Sequence, residues 1–328
     1  MSDQLLFAME VTLNGLMAGV LYALVALGFV LIYKASGIFN YAQGVMALFA
    51  AMTLVGIMDG QVPFSHLINA VFGTDIHHFG WHLPALLAIL LTMVVMAALA
   101  WCVQQFVMRH LIGQAPIILF MATIGLAYFL EGLADLMWGS EIRKLDVGLP
   151  QGLNETIDNV TFGLFGYGFF IDNLDVVATV IAALLVIALV IFSQYTKQGR
   201  AMRAVADDHQ AALSVGISLN FIWVMVWSVA GFVALVAGIM WGTKSGVQFS
   251  LSLIALKALP VLMLGGFTSI PGAIVGGLII GVGEKLFDFM FGPMLGGATE
   301  NWFAYVLALL FLVFRPQGLF GDRIIERV

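Results

Sequence analysis

The sequence predicts an all-α membrane protein that crosses the bilayer several times. Hydrophobic residues make up 62% of the 328 positions and charged residues only 10%, so too few polar side chains exist to cover a soluble domain. Apolar runs recur from Leu13 to the end of the chain. Their lengths suit helices rather than the ten-residue strands of a membrane barrel. We therefore expect a polytopic helical fold.

Nine apolar segments are long enough, or nearly so, to cross about 30 Å of hydrocarbon. We expect helices at 12–33, 43–59, 84–108, 116–138, 174–193, 221–241, 252–267, 272–291 and 300–315. The count is approximate, between eight and ten. Two interruptions, ASGIFNYAQG (35–44) and GGFTSIPGA (265–273), contain Gly and Pro or polar residues. They predict helices that are tilted, broken or only part-way across.

Charged residues predict the side of the membrane on which each loop lies. Arg109, the segment 197–203 and Arg315 supply cations that mark cytoplasmic loops, whereas the loops 60–83 and 139–172 are mainly acidic and should lie outside. With nine crossings the N-terminus would be outside. No polar stretch is long enough to bury a core of its own, so we expect a single transmembrane domain over 1–328.

The loop at 197–218 is predicted to form a short helix on the cytoplasmic face. Its alanines favour a helix from Ala204 to Ala212, and Gly199 and Gly216 bracket the helical part. Charged side chains between small ones would let another protein approach closely, although an ordinary loop at the headgroups fits the pattern equally well. The residues assigned to this possible contact are Gly199, Arg200, Arg203, Ala204, Asp207, Asp208, Ala211 and Gly216.

Several residues within the apolar segments are polar or unusually small. Lys257 lies in an apolar run and should face protein, water or an interface, because a cation in hydrocarbon is costly. Asn14, Asn40, Gln43 and Thr123 are neutral polar residues within or beside helices, where such groups usually form interhelical hydrogen bonds. Glycines at 272, 276 and 277 leave one helix face nearly bare, which allows close packing of backbones.

Motifs for catalysis or metal binding are missing from the sequence. Neither HExxH nor GxSxG occurs, and in the segment 238–246 Thr243 separates the glycine and lysine that a phosphate loop requires. Four histidines lie at 66, 77, 78 and 82, a spacing that we interpret as a solvated loop rather than a metal site. The single cysteine, Cys102, excludes an internal disulfide. We expect no catalytic residue and no bound metal.

The segment from Asn14 to Gly44 resembles the opening of the branched-chain amino acid permeases of ABC importers. The matching positions are Asn14-Gly15, Tyr22-Ala23-Leu24, Ile32-Tyr33 and Asn40-Tyr41-Ala42-Gln43-Gly44. Three further blocks, at 199–217, 256–281 and 312–321, match in the family's order. The resemblance therefore covers nearly the whole chain.

This resemblance implies a type II importer permease of the bacterial inner membrane, the first of two related permeases that pair as a heterodimer. Two separate ATPase subunits would bind ATP and Mg, so no cofactor is expected on this chain. A solute-binding protein would dock on the outer loops and deliver branched-chain or related apolar amino acids. Membrane lipid would surround the assembly, and no nucleic acid partner is expected.

The resemblance also suggests roles for particular residues. It assigns 199–217 to coupling with the ATPase subunits, and it places the break at 34–44 beside the route of the cargo. The candidates for the translocation path are Asn14, Tyr22, Asn40, Gln43, Thr123 and Lys257.

Two other interpretations fit the residues. Importers of urea or short amides have a similar architecture, so the cargo is not determined by the resemblance. A different class, an ion channel or intramembrane enzyme, could use Lys257 with Glu131 and Asp135 as a proton-handling set, because the two acids are four residues apart on one helix face.

Overall fold

The computed structural model describes residues 3–75, 77–111, 113–297 and 299–321, with the side chains of Asp3, His66, His209 and Asn301 left undescribed. These residues form α-helices joined by short loops. The helices are α1 Asp3–Ser36, α2 Gln43–Met58, α3 Ser65–Phe72, α4 Ala85–Phe106, α5 Pro116–Trp138, α6 Glu155–Phe165, α7 Asn173–Tyr195, α8 Lys197–Asp207, α9 His209–Ser214, α10 Leu219–Ser245, α11 Ile254–Gly265, α12 Ile270–Leu295 and α13 Glu300–Phe314.

The all-α class is confirmed, and each of the nine predicted apolar segments coincides with a helix. Among the described residues, six helices are long and apolar enough to cross a membrane. The remaining apolar segments, Gln43–Met58, Phe249–Gly265 and Trp302–Phe314, are shorter. Two of these adjoin the predicted interruptions, so the expectation of partial or broken helices there is confirmed.

Helix bounds differ most from the predictions at the N-terminal end of the chain. Helix α1 begins at Asp3 rather than at residue 12, because its polar first turns are held by protein: Glu10 is buried and accepts hydrogen bonds from the Tyr167 hydroxyl (3.0 Å) and the Phe170 amide (3.3 Å). The outer loops also contain the short helices α3 and α6, which were not predicted. Asn154 caps α6, because its side chain accepts a hydrogen bond from the Ile157 amide.

The chain divides into two compact units. Unit 1 comprises the described residues of Met1–Val30, Leu149–Val190 and Leu256–Val328. In this unit α1 and α12 meet through glycines: a side chain at Gly15 would lie 2.8 Å from the Val282 Cα atom, and one at Gly277 would lie 2.8 Å from the Ala23 Cβ atom. Small residues on both helices thus allow the backbones to touch.

A short turn joins α11 and α12 in unit 1, at the second predicted interruption. The Ser269 side chain caps α12 by accepting a hydrogen bond from the Gly272 amide at 3.0 Å. The C-terminal segment lies against this turn, where the Leu319 amide donates to the Leu264 carbonyl (2.8 Å) and the Phe320 amide to the Gly265 carbonyl (3.1 Å). These bonds satisfy carbonyls that the end of α11 leaves without a helical partner.

Unit 2 comprises Leu31–Gly148 and Ile191–Ala255, and its central helix is α2. Helices α4, α5 and α10 pack around α2, which is buried over almost its whole length. The Trp138 ring lies against Gly56, and its indole Nε1 donates to the Thr53 hydroxyl at 3.2 Å. A core helix this short is stable at membrane depth because protein surrounds it.

Candidate functional site

The first candidate site is the break between α1 and α2 in unit 2. Helix α1 ends at Ser36, and Gly37 adopts a left-handed conformation with φ of +69°, which favours glycine. The Asn40 side chain then closes the turn: its Oδ1 accepts from the Ala42 amide (3.1 Å), and its Nδ2 donates to Gln43 Oε1 (3.3 Å). Local side chains thus replace the helical hydrogen bonds that the break removes.

Two further side chains fix this break to neighbouring helices. Gln43 Nε2 donates to the Ala230 carbonyl on α10 at 3.2 Å. The Thr123 hydroxyl on α5 accepts from the Tyr41 amide (3.1 Å) and lies 3.1 Å from the Phe39 carbonyl. The structure therefore brings together the predicted residues Asn40, Gln43 and Thr123, all of which are buried. Apart from a contact of Asn40 Nδ2 with the Met46 sulfur (3.5 Å), their bonds are mutual or to backbone, which is the structural role that the sequence favoured.

The second candidate site surrounds Lys257 in unit 1. Its ammonium pairs with the Glu284 carboxylate and donates to the Glu300 carbonyl at 3.2 Å. The ammonium also lies 5.7 Å from the centroid of the Tyr22 ring, within cation–π range. The prediction that Lys257 faces protein is confirmed. The structure thus brings Tyr22 and Lys257 together.

Glu284 is the residue of this site that sequence reasoning missed. It is fully buried in α12, a glycine-rich helix that also carries Lys285 and Asp288. A signal was present, because an acid and a lysine within membrane segments usually pair with each other. Asn14, the remaining path candidate, is half-buried on α1 next to Gly15.

The predicted coupling loop forms two helices, not one, which corrects the expectation of a continuous helix from Ala204 to Ala212. Helix α8 begins at Lys197, where the Thr196 hydroxyl caps it, so Gly199 lies inside the first turn instead of preceding the helix. Asp208 ends α8 in an extended conformation, and its carboxylate caps α9 by accepting from the Gln210 (2.8 Å) and Ala211 (3.0 Å) amides. Aspartate competes for these amides, which interrupts the helix.

One face of this helix pair packs on its own unit and the other is exposed. Gly199, Met202 and Val205 are buried, and a side chain at Gly199 would collide with backbone carbonyls at the end of α7. The exposed residues are Arg200, Asp207, Asp208, Ala211, Leu213, Val215 and Gly216, whereas Arg203 and Ala204 are partly buried. Apolar and charged side chains are therefore presented together, as a protein contact requires.

A third region, in the outer loops of unit 2, is a polar cavity of about 590 Å³. Its lining includes His77, His78 and Asp135, together with Arg143, whose guanidinium bonds to Gln61 and to the Trp138 carbonyl. No group of three or more metal-ligating side chains is found within the described part of the chain. The side chain of His66, the fourth histidine of the predicted cluster, lies outside the described residues.

Residues 11–315 match the model of the family described as "Branched-chain amino acid transport system / permease component". The chain belongs to this family. Among its relatives, the high-affinity branched-chain amino acid transport system permease protein LivH of Escherichia coli (strain K12) is 28% identical over 100% of both chains. The corresponding protein BraD of Pseudomonas aeruginosa is 29% identical over 96% of both chains. The probable LivH of Methanocaldococcus jannaschii is 26% identical over 92% of this chain and 89% of its own.

The family and the fold together establish what kind of protein this is. It is a permease subunit of an ABC importer, with helices able to cross the bilayer several times, in the cytoplasmic membrane. It is a transport subunit and not an enzyme. The interpretation as an intramembrane enzyme or proton channel is therefore set aside.

Proposed function

We propose that this permease carries branched-chain or related apolar amino acids inward, driven by ATP. The observation that supports this cargo is the match along the whole chain to permeases named for branched-chain amino acid transport. The cargo of these relatives is apolar in its side chain and zwitterionic in its head group. Because such a molecule has no net charge, the residues that line its path need not carry one either.

The importer that we propose contains three further kinds of protein partner besides membrane lipid. A second, related permease would complete the path, two ATPase subunits would bind ATP and Mg, and a solute-binding protein would dock on the outer loops. The sequence supports separate ATPases because it contains no phosphate loop. The exposed face of α8 and α9 is the surface on which we expect an ATPase subunit to dock.

The path residues stay a proposal and divide into two groups by their contacts. Asn40, Gln43 and Thr123 hold the break between α1 and α2 through buried hydrogen bonds, so we assign them to shaping the path. Tyr22 and Lys257 belong instead to a charged cluster, in which the Lys257 ammonium pairs with Glu284 and lies 5.7 Å from the centroid of the Tyr22 ring. Such a cluster suits contact with cargo. Asn14 is assigned to the path on the resemblance alone.

Uptake by the reconstituted importer tests this function. The permease is purified with its second permease and ATPases, placed in proteoliposomes with ATP inside, and supplied with its binding protein and labelled leucine, isoleucine or valine. We expect accumulation that requires both ATP and the binding protein. Accumulation of urea or a short amide, with none of these amino acids, would instead establish the alternative cargo.

A further inference from the structure

The ion pair between Lys257 and Glu284 lies within the apolar helices α11 and α12 of unit 1. Glu284 is fully buried, and the Lys257 side chain is 23% exposed. A buried pair is expensive to desolvate, and well-packed apolar residues often give equal or greater stability. Charged groups at membrane depth therefore need an explanation beyond folding.

This pair has unused hydrogen-bonding capacity on both partners. A lysine ammonium has three donors, and among the described residues Lys257 has two acceptors, Glu284 Oε1 and the Glu300 carbonyl. Glu284 Oε2 is buried without a hydrogen-bond partner in the part of the chain that the structure describes. The Tyr22 hydroxyl also hydrogen-bonds to the Glu284 side chain, so one Lys257 donor and the Glu284 Oε2 acceptor remain available.

The position of the pair is at membrane depth rather than in an outer loop. Glu300, whose carbonyl binds Lys257, is the first residue of α13. Helix α13 has 15 residues, which is roughly 22 Å of helix, less than the ~30 Å of hydrocarbon. Because the exposed Arg315 follows its last residue and marks the cytoplasmic interface, its first residue lies inside the bilayer.

Aromatic rings lie one turn beyond the charged residues. Phe287 follows Glu284 by three positions and Phe303 follows Glu300 by three, and the two rings stack with centroids 4.1 Å apart. Trp302 packs on Phe287 edge to face, at 5.6 Å between centroids. Rings of this kind provide an apolar surface for an aliphatic side chain. Charge and apolar surface are therefore combined within one unit.

We propose that the Lys257–Glu284 pair is a recognition site for the zwitterionic head group of the cargo, a refinement that rests on the proposed function. The cargo carboxylate accepts from the Lys257 ammonium, and the cargo ammonium donates to the Glu284 carboxylate. When the ion pair between Lys257 and Glu284 opens, each of these two side chains pairs with the opposite charge of the cargo head group. Neither charge is then left unpaired in a poorly solvated environment. Phe287 and Phe303 then lie beside the apolar side chain. Urea offers neither charge.

A double substitution tests this site. Changing one partner alone would leave a buried charge unpaired, so we choose Lys257→Met with Glu284→Leu. The matched control is Lys285→Met, which removes the neighbouring cation of α12 but leaves Lys257, Glu284 and Glu300 in place; its ion pair with the Glu300 carboxylate (2.7 Å) is about one-third exposed. We expect both variants to assemble and hydrolyse ATP within twofold of wild type. Leucine uptake should fall at least tenfold in the first variant and less than twofold in the control.

Photo-crosslinking of the wild-type complex provides a second measurement that does not depend on a variant folding. A diazirine analogue of leucine keeps the zwitterionic head group and should label peptides that contain Phe287 or Phe303, and excess leucine but not urea should suppress the label. Labelling confined to other helices, or full uptake by the double variant, would overturn the site. If the wild-type complex transports no apolar amino acid, the proposed function fails instead, which separates the two results.

Discussion

At the scale of single residues, the membrane-embedded part of this permease uses side chains to replace backbone hydrogen bonds. The hydroxyl of Thr123 is the clearest case, because it accepts from the Tyr41 amide while lying within 3.1 Å of the Phe39 and 2.8 Å of the Phe120 carbonyl. Hydrocarbon offers no alternative partner for these groups. The threonine thus supports the break between α1 and α2 from a neighbouring helix.

Thr123→Val should destabilise the permease although it hardly changes the volume of the side chain. The Tyr41 amide loses its partner, and a buried group without a hydrogen bond costs about 1–3 kcal/mol. Thr92→Val is the matched control, since Thr92 is equally buried but, among the described residues, its hydroxyl bonds only to the Ala88 carbonyl of its own helix. Thermal unfolding of the purified protein in mild detergent measures both. An equal shift for the two variants would contradict the special role of Thr123.

At the scale of elements, close helix contacts in unit 1 depend on glycine. Gly276 is buried where α12 crosses α11, and a side chain there would lie 2.6 Å from the Val261 carbonyl oxygen and 3.0 Å from the Gly265 amide nitrogen. Both neighbours are backbone atoms, which cannot rotate away. This contact confirms the predicted close packing of backbones at the glycines of α12, where Gly272, Gly276 and Gly277 are all buried.

Gly276→Leu should therefore impair assembly and uptake, because overpacking typically costs about 1–3 kcal/mol and backbone collisions more. Gly125→Leu on α5 is the control, since no atom lies within 4 Å of a side chain built at that glycine. The yield of folded permease by size-exclusion chromatography and leucine uptake are the measurements. A normal yield and normal uptake for Gly276→Leu would argue against the packing described for α11 and α12.

The helix pair α8 and α9 is the element that we expect to couple ATP hydrolysis to transport. Ala211 is exposed on α9, and Ala211→Trp should fill a cleft on the ATPase subunit and uncouple hydrolysis from uptake. Ala204 is partly buried, so Ala204→Trp should in addition lower stability. Leu184→Trp on the exposed surface of α7, away from the loops, is the control for an added indole. Uptake and ATPase activity in proteoliposomes are compared, and wild-type values for Ala211→Trp would rule out this surface.

Elements that are defined by neighbouring residues in the sequence could be predicted, whereas contacts between separate helices could not. Apolar runs and the glycines of 35–44 and 265–273 are local signals, so the long helices and both interruptions could be predicted. The break at Asp208 was also a local signal, an aspartate that can cap a following helix, but good helix propensity of the flanking alanines outweighed it. The pairing of Lys257 with Glu284 depends on how α11 packs on α12, which composition does not encode.

At the scale of the whole molecule, the distribution of charge predicts which end of the bundle faces the cytoplasm. The loop 139–172 has five acids and two bases, Arg143 and Lys144. Arg143 is engaged with Gln61 and the Trp138 carbonyl, so it serves the fold and is a poor indicator of sidedness. The segment 197–203 carries three cations and no acid. The positive-inside rule then places α8 in the cytoplasm and α6 outside.

Labelling of single cysteines tests this orientation without knowledge of the total number of crossings. Helix α7 alone separates α6 from α8, and its 23 residues span roughly 35 Å, enough to cross the hydrocarbon once. In a Cys102→Ser background, a membrane-impermeant maleimide should label Glu155→Cys in intact spheroplasts, and it should label Asp207→Cys only after permeabilisation, since both native residues are exposed. Labelling of both positions from the same side would mean that α7 does not cross, and the reverse order would invert the bundle. Labelling of Asp207→Cys in intact spheroplasts would remove α8 and α9 as the surface that meets the ATPase, because ATP is available to it only on the cytoplasmic side.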